Sequence, residues 1–501
     1  MASHLFSRKS LALLLEEMAG ENRLRRVLGP IQLTSLGVGA IIGAGIFVAT
    51  GAAARNVAGP ALMLSYVVAG VTCVFAALCY AEFASMVPVA GSAYTYAYAT
   101  LGELFAWIIG WDLILEYAVG SATVANGWSG YFQSVMAKFN LAFPAALAGP
   151  PIIYDTVAGR FVGTAGVINL PAVLIVTLVT VVLVKGIQES ASFNATMVFL
   201  KVAVVLFVIV AGAFYIDPQN WTPFAPYGMS GVSFFGRPLL GQTNASGEPV
   251  GMLAGAAIIF FAYIGFDSVS THAEEARRPT RDVPIGIIAS LLICTVLYIA
   301  VVAVLTGMVS YEHLSVDAGV SDAFKQANLP WAELLIAAAG VAGITSVLLV
   351  LMLSAPRVFM AMARDGMVPQ GFFGDVHPKF RTPWKSTIAV GAAVAVMAGF
   401  LPIDALLRLA NIGTLFAFTL VCAAVLIMRR TNPHAVRPFR APLYPWVPIL
   451  GILSCLMLMF SLPVENWYRL FGWMAIGFVV YFTYGHRHSA LRKRAAAEAG
   501  G

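Results

Sequence analysis

Charge is what this sequence has least of. Lys, Arg, Asp and Glu together make up 11% of its 501 residues, against about 25% in soluble domains. Apolar residues reach 59% and mean hydropathy is +0.84. These values exclude a water-soluble globular chain and predict an all-α polytopic membrane protein. Cysteine is scarce as well: Cys73, Cys79, Cys294, Cys422 and Cys455 all fall inside apolar runs. None has metal-ligand spacing and none suggests an external disulfide, so no metal is expected. A His-Glu-x-x-His motif is missing, as is a Ser–His pair at recognisable spacing. That argues against an intramembrane enzyme, and His272 and His377 are expected in cytoplasmic-side segments. A leader is missing too: no short apolar core with a small-residue cleavage site precedes the first long run, so no cleavable signal peptide is expected.

What is abundant is long apolar sequence. Runs able to span a bilayer, roughly 17–25 residues each, fall near 31–55, 60–86, 103–132, 170–185, 191–215, 251–275, 285–308, 331–362, 386–401, 404–428, 446–462 and 467–485. The net charge of +6 is not a nucleic-acid signature, because its distribution is one-sided. Arg23, Arg25, Arg26, Arg277, Arg278, Arg281, Arg429, Arg430, Arg492 and Lys493 share one side of the twelve-span arrangement. The other side holds only Arg55, Lys138, Arg160, Arg237 and Lys325. By the positive-inside rule both termini are cytoplasmic, as an even number of spans also requires. The expected location is the inner or plasma membrane. Residues 11–17 suggest a short amphipathic helix on the inner leaflet, and Asn244-Ala-Ser246 is a glycosylation-type triplet.

The first run is broken by glycine: Gly39-Ala-Ile-Ile-Gly43-Ala-Gly45-Ile-Phe47. Each glycine weakens a helix interior by about 1 kcal/mol relative to alanine. Unwound backbone at membrane depth is tolerated only where it is buried in protein or lines a cavity. A second interruption, Phe260-Phe-Ala-Tyr-Ile-Gly265-Phe-Asp267, lies in the sixth run. Paired broken helices in corresponding positions of two halves point to a transporter substrate site at mid-membrane. Halves of five spans each must be inverted relative to one another, which divides the chain into 1–30, 31–215, 251–428, 446–485 and a tail 486–501.

The breaks suggest a receptor for a zwitterion. Amides of Gly43, Ala44 and Gly45 at a helix N-terminus suit a carboxylate, while free carbonyls of Phe261, Ala262 and Ile264 suit an ammonium. Phe261 or Tyr263 would supply an aromatic lid. The competing explanation for the first break is close helix packing through Gly39-xxx-Gly43. Lys201 sits inside an apolar run, a functional hypothesis by default because burial penalises the ammonium; it would exchange a proton during a cycle, or else snorkel to the headgroups. Asp112 and Glu116 lie four apart on one face of the third run. One of them would meet a substrate side chain or shuttle a proton, or either would cap structure near the interface, the role favoured for Asp112. Glu82 reads as a structural anchor. Asp267 reads as a brace for the unwound backbone or a gate. Leu351 and Met352 on the eighth run would limit side-chain volume if that helix flanks the site.

Several strings together resemble the amino acid–polyamine–organocation superfamily of permeases: the Gly39–Phe47 break, Tyr80-Ala-Glu-Phe83, Pro88-Val-Ala-Gly-Ser-Ala-Tyr94, Phe260–Asp267 and Glu274-Glu-Ala-Arg-Arg-Pro-Thr-Arg-Asp-Val-Pro284. The stretch Ala93–Tyr117 looks most like the bacterial branch related to cationic amino acid transporters. The resemblance covers about residues 25–485. It implies a leucine-transporter-type fold, a five-plus-five inverted repeat with broken helices one and six plus two added helices. It also implies that Gly43, Ala44 and Gly45 bind the substrate carboxylate, and that the carbonyls of Ile41, Phe261, Ala262 and Ile264 bind the amine. Phe261 would then be the outer gate. Lys201 matches the lysine that replaces sodium in proton-driven members, and Glu116 an acidic position near the pocket. The expectation is a proton-coupled L-amino acid importer for small neutral or broad substrates. A cationic amino acid transporter, an exchanger and a non-transporting sensor are the alternatives. The expected coupling ion is the proton, with no cofactor, and the partners considered are the substrate, the bilayer and a small accessory membrane subunit.

Overall fold

The computed structural model describes residues 7–9, 28–87, 92–155, 160–186, 191–234, 237–244, 247–273, 276–316, 319–380 and 382–493. The expected amphipathic segment 11–17 and Glu274-Glu275 lie outside these, as does part of Pro88–Tyr94 and of the Asn244–Ser246 triplet.

The chain is almost wholly helical, and each of the twelve apolar runs falls on helix. α1 (Pro30–Ile41) starts with proline in its first turn, where the missing amide costs nothing. After a break at 42–44 the chain resumes as α2 (45–58), wound more widely than an α-helix at Gly45–Ala49 and again at Ala54–Ala58. Gly59, at φ +62°, turns it into α3 (Leu62–Met86). Then come α4 (Ser92–Thr100), α5 (Glu103–Lys138), α6 (Leu170–Lys185) and α7 (Ala191–Ala213). The sixth run is α8 (Met252–Ile259), a tight turn Phe260–Tyr263, and α9 (Ser268–Thr271). α10 (Pro279–Met308), α11 (Gly319–Gln326), α12 (Pro330–Arg364), α13 (Trp384–Phe400), α14 (Ile403–Leu409) and α15 (Asn411–Thr431) follow. α16 (Trp446–Phe460) and α17 (Val464–Val480) close the series, the latter continuing as helix to Lys493 with an overall bend of 110° between the two. α6 and α13 are short for a span, at 16 and 17 residues. Short antiparallel hairpins occupy the long connections at 152–163 and 232–250.

α5 and α12 pack against each other most extensively, and α10 packs on both α1 and α3. Those three long helices form the frame around the two broken runs. Polar anchors fix the frame where apolar packing alone is non-directional. Asn169 accepts from Ser129 and donates to Asn126, whose amide reaches the Ala398 carbonyl, tying α5 to α6 and α13. Glu82, 2% exposed, accepts from Arg429 and from the Ala441 amide, with Arg437 at 3.4 Å. This is the structural anchor expected of Glu82. Asp112, expected as an interfacial cap, is instead only 1% exposed within the bundle.

Candidate substrate site at two broken helices

The helix break begins at Ile42, whose ψ of 103° is extended. Breaking a helix strands its last carbonyls, and three of the last four here have a named donor. The Val38 carbonyl accepts the Ile42 amide at 2.9 Å. The Gly39 carbonyl accepts from Lys201 Nζ at 2.6 Å. The Ile41 carbonyl accepts from the Tyr298 hydroxyl at 2.8 Å. On the far side, the Phe47 amide bonds the Gly43 carbonyl at 3.2 Å, while the first amides of a helix lack intrahelical acceptors and its dipole favours an anion there.

The second break is built around Gly265. Its φ of +125° is a left-handed conformation that other residues rarely adopt, and a Cβ would lie 2.9 Å from the Ala40 carbonyl. Asp267 braces the turn: one oxygen accepts the Gly265 amide at 3.2 Å, the other the Tyr117 hydroxyl at 2.9 Å. The two breaks meet directly. A Cβ on Gly45 would overlap the backbone of Ala262, so glycine there is a requirement of close approach. Tyr298 from α10 reaches both breaks, its oxygen 2.8 Å from the Ile41 carbonyl and 3.2 Å from the Ala262 carbonyl.

Between the breaks lies a small cavity of about 10 Å³, space for one water. Ala40, Ile41, Ala44, Gly45, Val124, Phe261, Ile264, Val347 and Leu351 line it. Every lining side chain is apolar, and all but Ile264 are buried. That space is too small for an amino acid, so substrate binding requires the walls of the joint to move apart.

The expected site residues sort accordingly. Ile41, Ala44, Gly45, Phe261, Ile264 and Leu351 line the cavity. Gly43 stands beside it, where a Cβ would press Val347 at 2.5 Å. Ala262 forms the floor against Gly45, its carbonyl facing Tyr298. Met352 is buried but outside the lining. Lys201 is 2% exposed with its stem against Gly343, so it does not snorkel. Glu116 differs most from expectation. It is not in the cavity lining and accepts from Arg469 at 2.7 Å, from Thr414 at 3.2 Å and from the Gly413 amide at 3.3 Å. A buried carboxylate needs such partners, and Arg469 in the twelfth run supplies them.

Sequence reasoning missed Tyr298, Val124, Val347 and Arg469. Two carried a signal: a tyrosine mid-way through the run 285–308 needs a hydroxyl partner when buried, and an arginine in an apolar run implies a nearby acid. Val124 and Val347 look like any packing valine. Tyr298→Phe tests the bridge. Removing one buried donor is expected to cost about 1 kcal/mol, read as a lower thermal midpoint in detergent; an unchanged midpoint would remove Tyr298 from this role.

Comparison with known proteins fits this architecture. The amino acid permease family profile matches residues 28–481. A "Methylthioribose transporter" of Bacillus subtilis (strain 168) is 44% identical over 491 residues, covering 98% of this chain and 100% of that protein. The "Branched-chain amino acid permease BcaP" of the same organism is 45% identical over 494 residues, with 98% and 100% covered. A "Cationic amino acid transporter 4, vacuolar" of Arabidopsis thaliana is 37% identical over 424 residues, 83% of this chain and 65% of that one. Two glycine-broken helices meeting at a buried cavity, with a family match along nearly the whole chain, make this protein a member of the amino acid permease family, a transporter and not an enzyme.

Proposed function

We propose that the protein is a proton-coupled importer of L-amino acids with apolar side chains, working by alternating access in the inner membrane with both termini cytoplasmic. The carrying observation is the cavity itself. Its wall is formed by valine, leucine, isoleucine, alanine and phenylalanine side chains with no acid among them. A cationic side chain placed there would be desolvated without a counter-ion, which costs several kcal/mol. An apolar side chain gains roughly 0.8 kcal/mol per buried CH₂. The amides opening α2 take the substrate carboxylate. The Ile41 and Ala262 carbonyls, held in reserve by Tyr298, take the ammonium. The name of the branched-chain relative agrees with this choice.

Lys201 is the coupling group in this reading. Its ammonium holds the Gly39 carbonyl, two residues before Ile41. A charge-assisted hydrogen bond is about twice as strong as a neutral one. Losing the proton therefore loosens α1 from α7, and regaining it draws the helix back. The two halves 31–215 and 251–428 then rock about the joint.

The name of the methylthioribose relative keeps a second substrate in the test. Purified protein in liposomes is expected to take up labelled leucine, competed by excess isoleucine, valine and alanine but not by arginine, lysine or methylthioribose. Competition by arginine alone would contradict the apolar reading, and competition by methylthioribose alone would move the substrate to a thioether sugar.

A further inference from the structure

We infer that Gly120 on α5 sets the upper size limit of the transported side chain. The inference rests on the amino acid reading above and names the residue that bounds its pocket. Glycine weakens a helix interior relative to alanine, so a mid-helix glycine needs a reason. Close packing supplies it for the neighbours. A Cβ on Gly110 would meet Tyr94 and Met362 at 2.8 Å, and one on Gly127 would meet Val48 at 2.8 Å. Gly43 and Gly70 are as tightly enclosed, with nearest atoms at 2.5 and 2.8 Å.

Gly120 is different. A Cβ there would have Leu351 Cδ1 at 3.6 Å and Phe261 Cε2 at 3.8 Å as its nearest neighbours, ordinary van der Waals contact. The fold does not forbid alanine at this position. Both neighbours line the cavity, and Val124, one helical turn on, lines it as well. The side chain missing from Gly120 thus leaves open the gap between Leu351 and Phe261. When the broken helices part to admit substrate, that gap is where a branched side chain extends. Leu351 bounds the gap from α12 and Phe261 from the second break, so a methyl group added on α5 narrows it from the third side.

The test is Gly120→Ala in liposomes, with initial uptake of labelled leucine and labelled alanine measured side by side. One methylene in an apolar pocket changes discrimination by about 10-fold or more. The leucine-to-alanine uptake ratio is expected to fall about 10-fold, with a thermal midpoint no lower than that of the parent. The double variant Gly120→Ala with Leu351→Ala returns space from the opposite wall and is expected to restore leucine. An unchanged ratio, or leucine and alanine uptake falling in parallel, would overturn the inference. A parent protein that takes up neither amino acid defeats the functional reading instead, so the two failures are separable.

Discussion

Replacing Lys201 by methionine is expected to abolish concentrative uptake while leaving exchange of amino acid across the liposome membrane. Methionine keeps the length and apolar stem that pack on Gly343, so the substitution removes a charge and a donor with little change of volume. The Gly39 carbonyl loses the bond that the break in α1 made necessary. Leaving a buried acceptor unsatisfied costs about 1–3 kcal/mol, enough to bias α1 strongly toward its released position. With one proton per substrate, an inward gradient of one pH unit supports about tenfold accumulation. The parent is expected to approach that ratio and the variant to stop near equality. Counterflow, labelled substrate entering against unlabelled substrate inside, needs only the binding site and is expected to persist. Full accumulation by Lys201→Met would remove the proton role altogether.

Gly45→Ala is expected to be severely damaging at the substrate site. The added methyl would overlap the main chain of Ala262, and a backbone cannot rotate aside as a side chain does. Overpacking usually costs about 1–3 kcal/mol, and here the strain falls on the joint between both broken helices. Expected results are leucine uptake at background and a thermal midpoint several degrees lower. Gly43→Ala makes the informative contrast. Its methyl would meet the Val347 side chain, so Val347→Ala is expected to rescue it. No side-chain change at Ala262 rescues Gly45→Ala, because Cα itself lies in the way. Rescue of Gly45→Ala by Ala262→Gly would show that the breaks do not meet as tightly as described.

The breaks were legible in the sequence because glycine inside an apolar run is a local anomaly with a local cause. Gly45 and Gly265 report, respectively, a close approach and a left-handed turn, and both occur where the pattern placed them. Lys201 was legible for a similar reason: a charge inside an apolar run demands a partner. What the sequence withheld is which face each helix turns inward. Glu116 and Val124 lie eight residues apart on α5, yet Val124 lines the cavity while Glu116 serves Arg469. That division depends on α17 packing beside α5, a contact between residues more than 350 positions apart. Leu351 and Met352 are adjacent in sequence, and only the rotation of α12 puts the first in the wall. Tyr298 is a donor to the Ile41 carbonyl only because the fold brings α10 across both breaks.

The central claim is that amino acid and proton enter together through this joint. The most direct measurement is internal pH in liposomes holding purified protein, with no initial pH gradient and leucine added outside. Co-entry predicts that leucine acidifies the interior, that arginine does so far less, and that Lys201→Met shows no response. An interior pH that stays constant while labelled leucine enters would contradict coupling, and leucine entry that requires amino acid preloaded inside would make the protein an exchanger.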